Sequence, residues 1–122
     1  HAELDTFNDS RALFLHVMAM RRGGSGLLEA VVGTATLAAE LAAKRGESAA
    51  LNLTMATAGH VVAVRSSRST PHNSLFLSSG RLGHCLASEP LDVAELWSEV
   101  PEEFAVEIQA GASRIQPTKE IL

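Results

Sequence analysis

Two helix-like stretches come first along this chain, and a run of short alternating segments follows. Within residues 12–22 the apolar side chains Leu13, Phe14, Val17, Met18 and Met20 crowd one helical segment. Asn8, Asp9 and Ser10 stand just ahead of it, where short polar side chains can accept the unpaired N–H groups of a first turn. Arg21 and Arg22 close it with positive charge at the negative end of the helix dipole. Gly23, Gly24 and Gly26 break the pattern. A second helix is expected over residues 27–44, with Leu28, Val31, Val32, Ala35, Ala38 and Leu41 on one stripe and Gly46 as its stop. A linker this short predicts that the two helices lie antiparallel.

After Gly46 the period drops to two. Leu51, Leu53 and Met55 alternate with Asn52 and Thr54, the mark of a strand with one buried face. Residues 57–60 then read as a turn and 61–65 as an apolar return strand, which makes a hairpin. A polar loop is expected over 66–73, where Pro71 sits. Strands at 74–78 and 83–87, turned at Ser79 and Gly80, form a second hairpin. Residues 92–97 suit one helical turn. Phe104, Val106 and Ile108 then alternate through a strand at 104–109, and a last short strand is expected at 113–116. Helices over about 9–46 followed by antiparallel strands over about 49–116 give an α+β layout, with helices laid on one face of a sheet.

Composition narrows the partners more than the fold. With 122 residues, 46% hydrophobic and 20% charged, the chain suits a single globular region spanning 1–122. The net charge is −4 and the ten Lys and Arg residues are scattered, so there is no basic face of the kind nucleic-acid binding needs. The longest apolar stretches, 12–20 and 30–39, fall short of the ~20 residues of a membrane span, so no membrane partner is expected. Cys85 is the one cysteine, which rules out an intrachain disulfide and points to a reducing, cytoplasmic setting. The first residue is His1 rather than Met, so a natural start upstream, or one since removed, is expected.

The chemistry enters through residues 73–101. They read Asn-Ser-Leu-Phe-Leu, then, past a turn, Cys-Leu-Ala-Ser-Glu-Pro-Leu-Asp, then Trp97, Val100 and Pro101. This is similar to the class II glutamine amidotransferases, and among them to the ergothioneine-pathway amidohydrolases and their glutathione-degrading relatives. The Asn-Asp-Ser-Arg-Ala-Leu-Phe segment at 8–14 resembles that family's helix start, and the hairpin from residue 51 resembles its middle hairpin. The resemblance implies an N-terminal-nucleophile hydrolase, a four-layer αββα sandwich of which this chain would be the C-terminal half. It implies an amino-terminal Cys that attacks the side-chain amide of glutamine or a γ-glutamyl compound, and that Cys would sit in a preceding half. No catalytic residue is therefore expected in this chain, and no cofactor is expected.

Asp9 is the candidate substrate-binding residue. By resemblance it takes the family position that binds the α-ammonium of the glutamyl group; by its place alone it reads as a helix cap. Arg11 stands where the family has Glu. Ser88 and Glu89 are expected to satisfy backbone groups at a strand end. Cys85 is expected to be a small buried hydrophobe rather than a nucleophile, with the adjacent His84 on the opposite strand face. His1, His16, His60 and His72 lack metal-ligand spacing, so no metal is expected, and His16 reads as a satisfied boundary side chain. The arginines and serines of 65–68 read as a solvated loop. Two functions remain open at this point. One is a piece of a γ-glutamyl amidohydrolase; the other is a non-catalytic remnant of the fold that serves assembly. Either way, two short helices cannot cover every apolar strand face, so the chain by itself should associate or oligomerise.

Overall fold

A computed structural model describes residues 9–47, 50–67, 74–80, 83–90 and 96–122. Two helices, α1 (Asp9–Arg22) and α2 (Leu27–Lys44), precede seven strands: β1 (Ala50–Thr57), β2 (His60–Ser67), β3 (Phe76–Gly80), β4 (Gly83–Ala87), β5 (Trp97–Glu99), β6 (Phe104–Gln109) and β7 (Ala112–Pro117). A short 3₁₀ turn, Thr118–Glu120, follows.

Both helices end the same way. Ser25 N–H bonds the Met20 carbonyl and Gly24 N–H that of Arg21, while Glu47 N–H bonds Ala42 and Gly46 N–H bonds Ala43. These paired returns need a residue at positive φ between them, and Gly24 (103°) and Gly46 (71°) supply it at no steric cost. The glycines visible in the sequence thus set both C-termini. Asp9 and Ser10, expected ahead of α1, are its first two residues.

The strands form two antiparallel sheets, one ordered β1-β2-β6-β7 and the other β4-β3-β5. Alternation along β2 sends Val62 and Val64 to one face of the larger sheet and Ala63 to the other. Val62, Val64 and Ala105 pack with Val17, Leu28, Val31, Val32 and Ala35 of the helices. Ala63 and Val106 pack on the opposite side with Leu75, Leu77 and Val100, and Leu86, Phe104, Ile108 and Ile115 lean on that cluster. The order is therefore helices, sheet, sheet. Val17, Val31, Val32, Val62, Val64, Val100 and Val106 are fully buried. Burying a side chain of that kind is worth roughly 1.5–3 kcal/mol, so these two clusters hold the layers together.

Three expectations at the sequence level are revised. The loop expected over 66–73 starts later, because Ser66 and Ser67 extend β2 and pair with Leu51 and Ala50; residues 68–73 lie outside the described residues. Ser79 and Gly80, expected as a turn, remain in β3 opposite His84 and Gly83. The helical turn expected at 92–97 does not include Trp97, which opens β5 by pairing with Ser78; residues 91–95 lie outside the described residues. In each case a cross-strand partner outweighs a local turn preference.

Candidate functional site

The sandwich has two unlike ends, and strand direction sorts the residues between them. At one end sit the tight turns β1–β2 and β6–β7, joined by the β3–β4 hairpin. At the other the strands run out into connections: β2 ends, β3 and β6 begin, and Ser88, Glu89 and Pro90 follow β4. The antiparallel helix pair, registered by His16 beside Thr34 and Met20 beside Gly33, sets the first turn of α1 next to the last turn of α2. The backbone of Asp9 thereby belongs to this open end; its side chain lies outside the described residues. Connections carried on a rigid scaffold are where binding groups concentrate, which makes the open end the candidate site.

Arg65 anchors it. Far from being a solvated loop residue, it lies on β2 between the two sheets and is 6% exposed. Its Nη1 donates to the Val100 carbonyl at 2.6 Å and to Glu99 Oε2 at 3.2 Å. Glu102 Oε1 is 3.9 Å from Nη2, and Nε, also buried, meets no hydrogen-bond partner among the described residues. The backbone of Arg65 is used as well, since its carbonyl accepts from Glu103 N–H at 2.8 Å. Glu103 holds a φ of 62°, a costly conformation for a side-chain-bearing residue, and its own carbonyl accepts from Thr118. One arginine therefore fastens the turn after β5 to the larger sheet. Asn52, the cross-strand neighbour of Arg65, donates to the Ser74 carbonyl at 3.0 Å and fastens the start of β3.

The closed end is polar and self-contained. Glu107 accepts from Arg114 Nη2 at 2.9 Å, and its other oxygen lies 2.8 Å from His60 Nε2. Burial raises the Glu107 pKa, the His60 and Arg114 hydrogen bonds lower it, and the net result is below the ordinary value of 4.5. A depressed carboxyl stabilises the fold above its ordinary pKa, and that contribution is lost as pH falls through the lower folded value. Glu107→Gln should therefore lower stability at neutral pH, and the gap to the native protein should close below pH 4.5. Urea midpoints across that range check it; a constant gap would rule it out.

His84 Nε2 lies 3.0 Å from the Gly111 carbonyl, which can only accept, so the ring proton sits there and Nδ1, 2.8 Å from Ser79 Oγ, accepts from the hydroxyl. This chain of bonds ties the smaller sheet to the β6–β7 turn. His16 Nδ1 is 2.8 Å from Thr34 Oγ1 between the helices, a satisfied boundary side chain. Cys85, expected to be buried, is exposed. Its pairing with Ser78 places it on the face of β4 opposite Leu86, and Leu86 takes the core. Among the described residues, no group of three or more His, Cys, Asp or Glu is placed to hold a metal ion. No helix among them is long and apolar enough to cross a membrane.

Arg65 is legible in the sequence only as a charge, and a strand period alone does not tell a solvated arginine from one with partners 34 and 35 residues away.

No family model matches the chain, and no curated protein matches it. Among solved structures it is similar to a glutamine aminotransferase class-II domain protein from Silicibacter pomeroyi, with a TM-score of 0.72 and 21% identity. The likeness covers 89% of this chain and 51% of that one, so this chain spans about half the length of the solved structure. Two helices followed by antiparallel strands, in this order and arrangement, thus match the fold of the corresponding part of that glutamine aminotransferase class-II domain protein.

Proposed function

We propose that this chain is the C-terminal part of a glutamine amidotransferase-like amidohydrolase that cleaves the γ-glutamyl amide of glutamine or a γ-glutamyl compound. The observation that carries the reading is the fold likeness to a glutamine aminotransferase class-II domain protein over 89% of this chain. The nucleophile is a Cys in the remaining part of the domain, and Asp9, at the open end of the sandwich, binds the substrate's α-ammonium. Water is the acyl acceptor. The arrangement of the described residues agrees with that division of labour: the open end offers anchored connections, and Cys85 is an exposed residue of β4 paired with Ser78.

The test is release of glutamate from glutamine and from γ-glutamyl dipeptides by the complete domain. Hydrolysis that a thiol reagent abolishes is expected. Cys85→Ser should leave the rate unchanged and stability within about 0.5 kcal/mol, as for an exposed position without partners. A folded complete domain that hydrolyses neither substrate would retire the enzymatic reading in favour of an assembly role.

A further inference from the structure

The helix pair is apolar toward the larger sheet, and its outer face carries a pattern of its own. On α1 the buried Ala12, Leu13 and Val17 mark the inner side. Steps of about 100° per residue then put Arg11, Leu15, Met18 and Arg22 on the outer side, with Phe14 beside them. Both arginines are exposed, and Phe14 between them is 48% exposed. On α2 the buried Leu28, Val31, Val32, Ala35 and Ala39 mark the inner side, which leaves Glu29, Gly33, Thr36 and Glu40 outward. Both glutamates are exposed. So α1 presents a bulky apolar centre between two arginines, and α2 presents a centre of small residues between two glutamates.

The spacings match. Arg11 and Arg22 are eleven residues apart, as are Glu29 and Glu40, and eleven residues make about three turns and about 16.5 Å of helix. The levels match too, because His16 beside Thr34 and Met20 beside Gly33 set the helices antiparallel. Continuing that register puts Arg11 level with Glu40, Met18 with Gly33 and Arg22 with Glu29. Side by side in one chain, these four charges make no ion pair or hydrogen bond among the described residues. Two copies can meet on these faces about either of two twofold axes. An axis across the helices lays α1 on α1 of the second copy, arginine over arginine. An axis parallel to the helices lays α1 antiparallel on α2 of the second copy. Arg11 then meets Glu40, Arg22 meets Glu29, and Phe14 and Met18 face the small centre, twice over.

We infer that the outer face of the helix pair is an interface between two copies of this protein, closed by a twofold axis parallel to the helices. The apolar centre supplies the contact, and the opposed charges select this axis over the other, since like charges set against each other suppress a wrong arrangement. A twofold contact uses the same patch on both copies and closes on itself, so the assembly stops at two. No residue of this face takes part in the reaction proposed above.

The experiment is sedimentation of the protein as its gene encodes it, which should show a dimer. Arg11→Glu with Arg22→Glu makes all four flanking charges negative, and Glu29→Arg with Glu40→Arg makes all four positive. Each double variant alone should raise the dimer dissociation constant about tenfold or more. Mixed in equal amounts, the two should pair with each other at close to the native affinity, because every reversed charge then meets its opposite. Recovery in the mixture also shows that both variants fold. A native protein that stays monomeric, or that holds a different polypeptide on this face, overturns the inference. So do variants that dimerise like the native protein, or two folded variants that fail to pair. Should either variant fail to fold, a photo-crosslinker at position 18, in a mixture of isotopically light and heavy copies, decides the same question. A link from one copy to α2 of the other supports the interface, whereas a link to α1 of the other, or none between copies, overturns it.

Discussion

Arg65→Ala should lower the stability of this domain by about 3 kcal/mol or more, the largest effect expected of a single substitution among its polar residues. The alanine removes a long side chain that is 6% exposed, leaves the Val100 carbonyl without its donor, and strands Glu99 beside an empty space. Each of those losses is costly by itself. Glu99 is 56% exposed at its side chain and can turn to water, so the orphaned charge contributes least and the cavity and the carbonyl contribute most. Arg65→Met is the informative companion. Methionine fills a similar volume and also removes the buried Nε that has no partner among the described residues, so it should cost clearly less than alanine. Chemical denaturation of the three proteins checks the order, and equal losses for Ala and Met would show that volume is not what matters there. Thermal melting should agree at roughly 4 °C per kcal/mol for a chain of this size.

Asp9→Ala should weaken γ-glutamyl binding by ~2–5 kcal/mol in the complete enzyme, the usual cost of truncating one member of a buried charge pair. This expectation belongs to the proposed function. A free α-amine is cationic near neutral pH, and a site that selects it needs a fixed negative partner in a partly dry place. Most of the loss should appear in KM, because the ammonium is bound alike in ground and transition states. Substrates with an acylated amine should already be poor, and the substitution should hurt them little. A plain helix cap behaves otherwise: it costs about 1 kcal/mol of folding stability and leaves the kinetics alone for every substrate. An unchanged KM for free-amine substrates would remove Asp9 from the site.

The two predictions differ in where their grounds lie. Asp9 stands out in the sequence because a short polar residue opening a helix, inside a segment resembling a known amine-binding turn, is a local signal. Arg65 does not, because its role is not local. Its partners Glu99 and Val100 lie more than thirty residues away, and only the stacking of one sheet on the other brings them to it. Cys85 differs from its expected burial for a related reason. Alternation says that Cys85 and Leu86 face opposite ways, but which of the two faces the core depends on where the larger sheet lies.

What the sequence by itself determined is what adjacent residues can enforce. The 3.6-residue stripe of α2, the positive-φ glycines that end both helices, and the two-residue period of β1 and β6 each act within one element, and each appears where the pattern puts it. Only the tertiary structure decided how far β2 and β3 run, that Trp97 joins a strand, that an arginine is buried between the sheets, and that, among the described residues, β1 is an edge strand of the larger sheet. The physical reason is common to all four. Strand ends, buried charges and open edges are settled by hydrogen bonds and packing between segments far apart in the chain, and those free energies exceed the local preferences that a linear pattern records.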